Sequence, residues 1–223
     1  MKDLNKAKVL EMLVDQSPRN FWSEFGTLLR QTYMDTFEQV AHEAMILPEQ
    51  KIDYLLQLRH FRVESLLHTV AQRHGLPSTA TLLVANHRSY VMAGAGSIAF
   101  TQAYIPTISE MPKPARFREK HSSMNEISRG GRLALGDQPV ELLDGKAFYG
   151  IICHNPVGRR FEKEMQTLGM LQFCVPEDGC KDWLAEATFQ EIVAAYGAER
   201  REEQRKARGL PWKDEKKKQD KRG

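Results

Sequence analysis

Apolar positions recur every three or four residues through the first third of the chain, a period that predicts helices. Leu4, Ala7, Leu10 and Val14 form one stripe. Ser17-Pro18 reads as an N-cap followed by proline in the first turn of a second helix, running to about Met45. Phe21, Phe25, Leu28, Leu29, Tyr33, Phe37 and Val40 supply its apolar side. Leu47-Pro48-Glu49 restarts the pattern, and Ile52, Leu55, Leu56, Val63, Leu66, Leu67 and Val70 make a third stripe that Gly75 and Pro77 stop. The expectation is a helical unit of about three helices over residues 1–76.

The pattern then changes. Residues 79–105 are rich in β-branched and aromatic side chains around Gly94-Ala95-Gly96-Ser97, which predicts two strands joined by a glycine turn, with a helix as the competing reading. Prolines 106, 112 and 114 interrupt regular structure, so 106–131 reads as a long basic loop. A β meander follows, with Asp144-Gly145 as its hairpin signal and Lys146–Cys153 as the returning strand. Arg160–Thr167 reads as a short charged helix and Met170–Val175 as a strand. Pro176-Glu177-Asp178-Gly179 then turns into a final helix carrying Trp183, Leu184, Ala187, Ile192, Val193 and Tyr196. The fold class expected is α+β: the helical unit, then an antiparallel β-rich unit over 79–198 closed by a C-terminal helix.

Charge adds one asymmetry. Residues 199–223 hold eleven Lys/Arg and six Asp/Glu, a net of +5, whereas the whole chain is +3, so residues 1–198 carry −2. This predicts a charged, disordered tail on a near-neutral body. A flexible basic arm binds phosphates by releasing counterions, without reading sequence. In the tail Arg205, Lys206, Arg208, Lys216, Lys217 and Lys218 are the candidate phosphate contacts, and Trp212 is a candidate stacking platform. Arg116, Arg118 and Lys120 in the 106–131 segment are the candidates in the body. The leading reading is a non-enzymatic, nucleic-acid-associated accessory or regulatory protein, with a protein partner or homodimer formed through the helical unit. A protein-interaction module with a solubilising tail is an alternative. No window is apolar enough to span a membrane and no secretory signal is read, so a cytoplasmic protein is expected.

Other groupings carry less. Cys153, His154, Cys174 and Cys180 lack a Cys-x-x-Cys knuckle, and three cysteines without framework spacing argue for reduced core thiols. His60, Glu64 and His68 share a helix side by their spacing of four, most simply as a solvated helix edge. Asp137, Glu141, Asp144 and Lys146 crowd a hairpin tip rather than a cleft. No metal and no cofactor are expected.

Asn86-His87-Arg88-Ser89-Tyr90, after Leu82-Leu83-Val84-Ala85, resembles the first block of the glycerolipid acyltransferase family. Phe173-Cys174-Val175-Pro176-Glu177-Asp178-Gly179 is loosely similar to that family's Phe-Pro-Glu-Gly block. The resemblance implies an acyltransferase-like alternative, with His87 as general base for a hydroxyl attacking a thioester and Glu177 in binding the acceptor's phosphate. Met92 stands where the family places the aspartate that orients the histidine, and Asp178-Gly179-Cys180 stands in place of Gly-Thr-Arg.

Overall fold

The computed structural model describes residues 2–83, 88–107, 110–127 and 147–197. The predicted Asp144-Gly145 hairpin and the basic tail lie outside these residues.

Three helices come first: α1 (Lys2–Gln16), α2 (Arg19–His42) and α3 (Lys51–Arg73), the last entered through a 3₁₀ turn at Pro48–Gln50. Ser17 does not cap α2, because its hydroxyl turns back to the end of α1. It donates to the Leu13 carbonyl at 2.5 Å and accepts the Trp22 indole N–H at 2.7 Å. The α3 end closes as expected. Gly75 takes a positive φ of 71°, its N–H reaches Gln72 O, and Leu76 N–H reaches Ala71 O, which satisfies the orphaned carbonyls.

Six strands follow: β1 (Ser78–Leu83), β2 (Arg88–Ala95), β3 (Ile98–Tyr104), β4 (Phe148–Pro156), β5 (Leu168–Pro176) and β6 (Trp183–Thr188). They form one sheet in sequence order. The segment read as two strands holds three, because the first run folds on itself as β1 and β2 before the Gly94–Ser97 turn. All neighbours are antiparallel except β3 and β4. Parallel neighbours need a crossover, and α4 (Arg116–Ile127) lies in it. The 106–131 loop reading is therefore corrected: Pro112 and Pro114 precede a helix instead of interrupting one, and Ala115 O accepts the Arg118 and Glu119 N–H groups in its first turn. Arg160–Thr167 forms bends and turns rather than a helix.

The final helix, α5, covers 189–197, later than the sequence reading placed it. Trp183–Thr188 pairs with β5 instead. The helix begins at a reciprocal cap: the Glu191 carboxylate accepts the Thr188 N–H and hydroxyl, and the Thr188 hydroxyl accepts the Glu191 N–H.

The architecture is α+β in three layers. α1, α2 and α3 bury their apolar sides on one sheet face, around Phe21, Trp22, Phe25, Phe100, Phe148, Phe173 and Phe189. The other face carries a smaller cluster including Ala103, Ile105, Tyr149, Ile151, Cys153, Cys174 and Trp183. Asn125 fastens α4 there: its amide donates to Tyr149 O (3.0 Å) and Pro176 O (2.8 Å), and its carbonyl accepts Tyr149 N–H (2.7 Å). Asn125→Ala leaves those backbone groups buried and unpaired, an expected loss of about 2 kcal/mol in urea unfolding. An unchanged midpoint contradicts it.

Candidate functional site

β2 is joined to β1 along six residue pairs, Ser78↔Ala93 to Leu83↔Arg88. It is joined to β3 only at Ala93↔Phe100, Gly94↔Ala99 and Ala95↔Ile98, and no further pair links them among the described residues. β3 meanwhile pairs with β4 along its whole length, to Tyr104↔His154. The sheet is thus split between the first half of β2 and the second half of β3.

A carboxyl group from α3 bridges the split. Glu64 accepts the Val91 N–H of β2 at 2.5 Å and the Gln102 side-chain amide of β3 at 2.6 Å. The Gln102 carbonyl lies 2.8 Å from His154 Nε2, and His154 Nδ1 lies 2.5 Å from the Tyr33 hydroxyl. A carbonyl only accepts, so Nε2 carries the imidazole proton and Nδ1 accepts from Tyr33. Every donor in this chain therefore points toward Glu64. The Gln102 amide also lies 3.2 Å from Nδ1 of the half-buried His60. At the far end Arg59 is buried. It donates to Gln166 Oε1 (3.0 Å) and stacks 4.0 Å over the Tyr33 ring, while its Nε has no partner among the described residues.

Burial pushes the Glu64 carboxyl up to about 7, against the Gln102 and Val91 hydrogen bonds and the Arg118 charge, which favour its ionised form. Burial pushes the His154 imidazole down to about 3, with the Arg59 and His60 charges acting the same way. Burial also raises the Tyr33 phenol above its usual range. The core relay at neutral pH consists of a neutral imidazole, a neutral phenol and a carboxyl group near half-ionisation.

Two opposed pH effects follow. His154 binds a proton more readily unfolded, so its contribution to stability is complete above about 6.5 and is lost as pH falls toward about 3. Glu64 binds its proton more readily folded, so its contribution is complete below 4.5 and is lost as pH rises through about 7. Glu64→Gln isolates the second effect. Its stability relative to the wild type should rise by about 3 kcal/mol between pH 4 and pH 8 in urea titrations. A difference that does not change with pH contradicts this.

The opposite face of the split is aromatic and basic. Tyr90 of β2 stacks on Phe117 of α4, with ring centroids 4.0 Å apart and planes 10° apart. The Arg118 guanidinium lies 4.9 Å from the Phe117 ring centre, donates to Lys113 O at 3.0 Å, and has a buried Nε without a partner among the described residues. Lys113, Arg116 and Lys120 are exposed around this stack. Residues 113–120 hold four cations against the single acid Glu119, a net of +3.

Of the other sequence candidates, Glu177 ends up half-buried between β5 and a 3₁₀ turn at Asp178–Cys180, where its N–H donates to Asp182 O. His87, Arg205, Lys206, Arg208, Trp212, Lys216, Lys217 and Lys218 lie outside the described residues, as do Asp137, Glu141, Asp144 and Lys146. Met92 packs against the smaller core cluster and carries no carboxylate to orient an imidazole. Cys153 and His154 point to opposite faces of β4, Cys153 toward Cys174 and His154 toward Tyr33. The Cys153 thiol and burial together raise the Cys174 thiol well above its ordinary value. The solvated-edge reading of His60, Glu64 and His68 is corrected: Glu64 turns into the split and the His68 imidazole bonds Ser78 Oγ at 2.9 Å. Among the described residues no group of His, Cys, Asp and Glu is placed to hold a metal ion, and no helix is long and apolar enough to cross a membrane.

No protein-family model, curated protein or solved structure matches the chain.

Proposed function

We propose that the protein is a non-enzymatic, nucleic-acid-associated accessory protein that holds single-stranded nucleic acid along α4. One observation carries the reading: the Arg118–Phe117–Tyr90 stack lies among the exposed cations Lys113, Arg116 and Lys120. Lysine and arginine neutralise phosphates whatever the base sequence. A planar stack continues into an unpaired base, whereas a duplex keeps its bases stacked on each other. The tail cations add further phosphate contacts in this reading. The contacts in this reading are to phosphates and base faces rather than base edges, so binding without sequence preference is expected.

The test is a fluorescence anisotropy titration of labelled oligonucleotides of unrelated sequence with the full chain. Single strands should bind at micromolar concentration in low salt, roughly tenfold tighter than duplexes of the same length. Equal affinity for the two forms removes the role of the stack, and no binding removes the function.

A further inference from the structure

We propose that nucleic-acid binding on the α4 face is linked to a proton on Glu64, the complex being tighter with that carboxyl group protonated. The inference rests on the reading of α4 as a phosphate-binding surface and adds its regulation.

The link is geometric. Glu64 holds the N–H of Val91, which belongs to the peptide joining Tyr90 to Val91. The Tyr90 ring, on the opposite face, is the one stacked on Phe117. One peptide unit therefore separates the carboxyl group from the aromatic platform. β3 does not pair with this stretch of β2, so Glu64 makes the cross-split connection that a ladder bond would otherwise make.

The charges around Glu64 set the direction. His60 and His68 stand on its own helix, with Arg59 one turn away. Tyr33 faces the site from α2, Tyr104 from β3 and His154 from β4, and β1 contributes no ionisable side chain. Tyr90 belongs to β2, and Arg118 acts on the carboxyl group from α4. Ionised Glu64 places a negative charge opposite Arg118, beneath the surface where phosphates would lie. It weakens the attraction of that surface for a polyanion, and protonation removes the effect. By linkage, a bound polyanion must raise the proton affinity of Glu64 to the same extent.

The experiment compares the full-length wild type with Glu64→Gln in oligonucleotide titrations across pH 6 to pH 8. His121 on α4 also gains charge in acid, and it is shared by both proteins. Relative to Glu64→Gln, the wild type should lose roughly three- to tenfold in affinity over this range, the effect of one buried charge on nearby phosphates. Parallel pH profiles overturn the proton link while leaving the binding function standing. Absence of binding at every pH overturns both. Should Glu64→Gln fail to fold, the infrared band of the protonated carboxyl is followed against pH in the wild type alone. Its loss should move to higher pH when oligonucleotide is bound, and an unmoved titration overturns the inference.

Discussion

On the proposed function, replacing Arg116 and Lys120 together with glutamate should lower the affinity for single-stranded nucleic acid roughly 30-fold at about 0.1 M salt. Both side chains are exposed on α4, one turn apart. Neither side chain forms a salt bridge among the described residues, so reversal breaks no ion pair there. Each cation that meets a phosphate releases most of a counterion. Losing two such contacts should flatten the slope of log K against log salt by about 1.4, before any repulsion from the new carboxylates is counted. Surface substitutions of this kind leave stability within about 0.5 kcal/mol, so folding is the internal control. Anisotropy titrations at several salt concentrations read both quantities. Unchanged affinity and slope in a folded double variant would place the binding elsewhere.

Gly150→Ala should destabilise the protein by about 3 kcal/mol, the upper part of the usual range for overpacking. Gly150 sits in β4 with the Phe173 ring lying against its backbone. A Cβ there would fall 2.5 Å from Phe173 Cε1 and 3.0 Å from Cε2. Such a clash is relieved cheaply when the neighbour is the free end of a flexible chain. Phe173 is not free, because it is fully buried and packs edge-on against Trp22, Phe100 and Phe148 at centroid distances of 5.6, 6.0 and 6.3 Å. Moving its ring disturbs the helix–sheet interface at its centre. Denaturant unfolding of Gly150→Ala, Phe173→Leu and the double variant measures the coupling. The double variant should be more stable than the sum of the single losses predicts, because the smaller side chain makes room for the methyl group. Strict additivity would contradict the steric account.

The helices were legible because their apolar period is long and uninterrupted, and α3 ends at the glycine whose positive φ its stop signal requires. The last strand was not. Trp183, Leu184 and Ala187 fit a helical stripe, and only pairing with β5 makes Trp183–Thr188 extended. The true helix start was nevertheless written in Thr188-Phe189-Gln190-Glu191, a Thr-x-x-Glu cap. The parallel β3–β4 pair was invisible because strand direction follows from where α4 crosses, and three prolines disguised that helix as loop.

The basic residues of α4 were readable by composition, but their aromatic partner was not. Tyr90 and Phe117 lie 27 positions apart and meet only through the crossover. The core relay left one overlooked sign. Arg59 occupies the row Leu55, Arg59, Val63, Leu67, where an apolar residue is the rule, and it is buried there. A charged side chain at a core position implies partners supplied by other elements. Here they are Gln166 and Tyr33, which no local pattern connects to α3.

Single-stranded oligonucleotide binding by the full chain, measured as log K against log salt, tests the functional account most directly. The account predicts micromolar binding at low salt and a slope of about −3 or steeper, the sum of α4 and tail contacts at ~0.7 per phosphate. Binding that is absent at low salt, or that does not weaken as salt is raised, would contradict it.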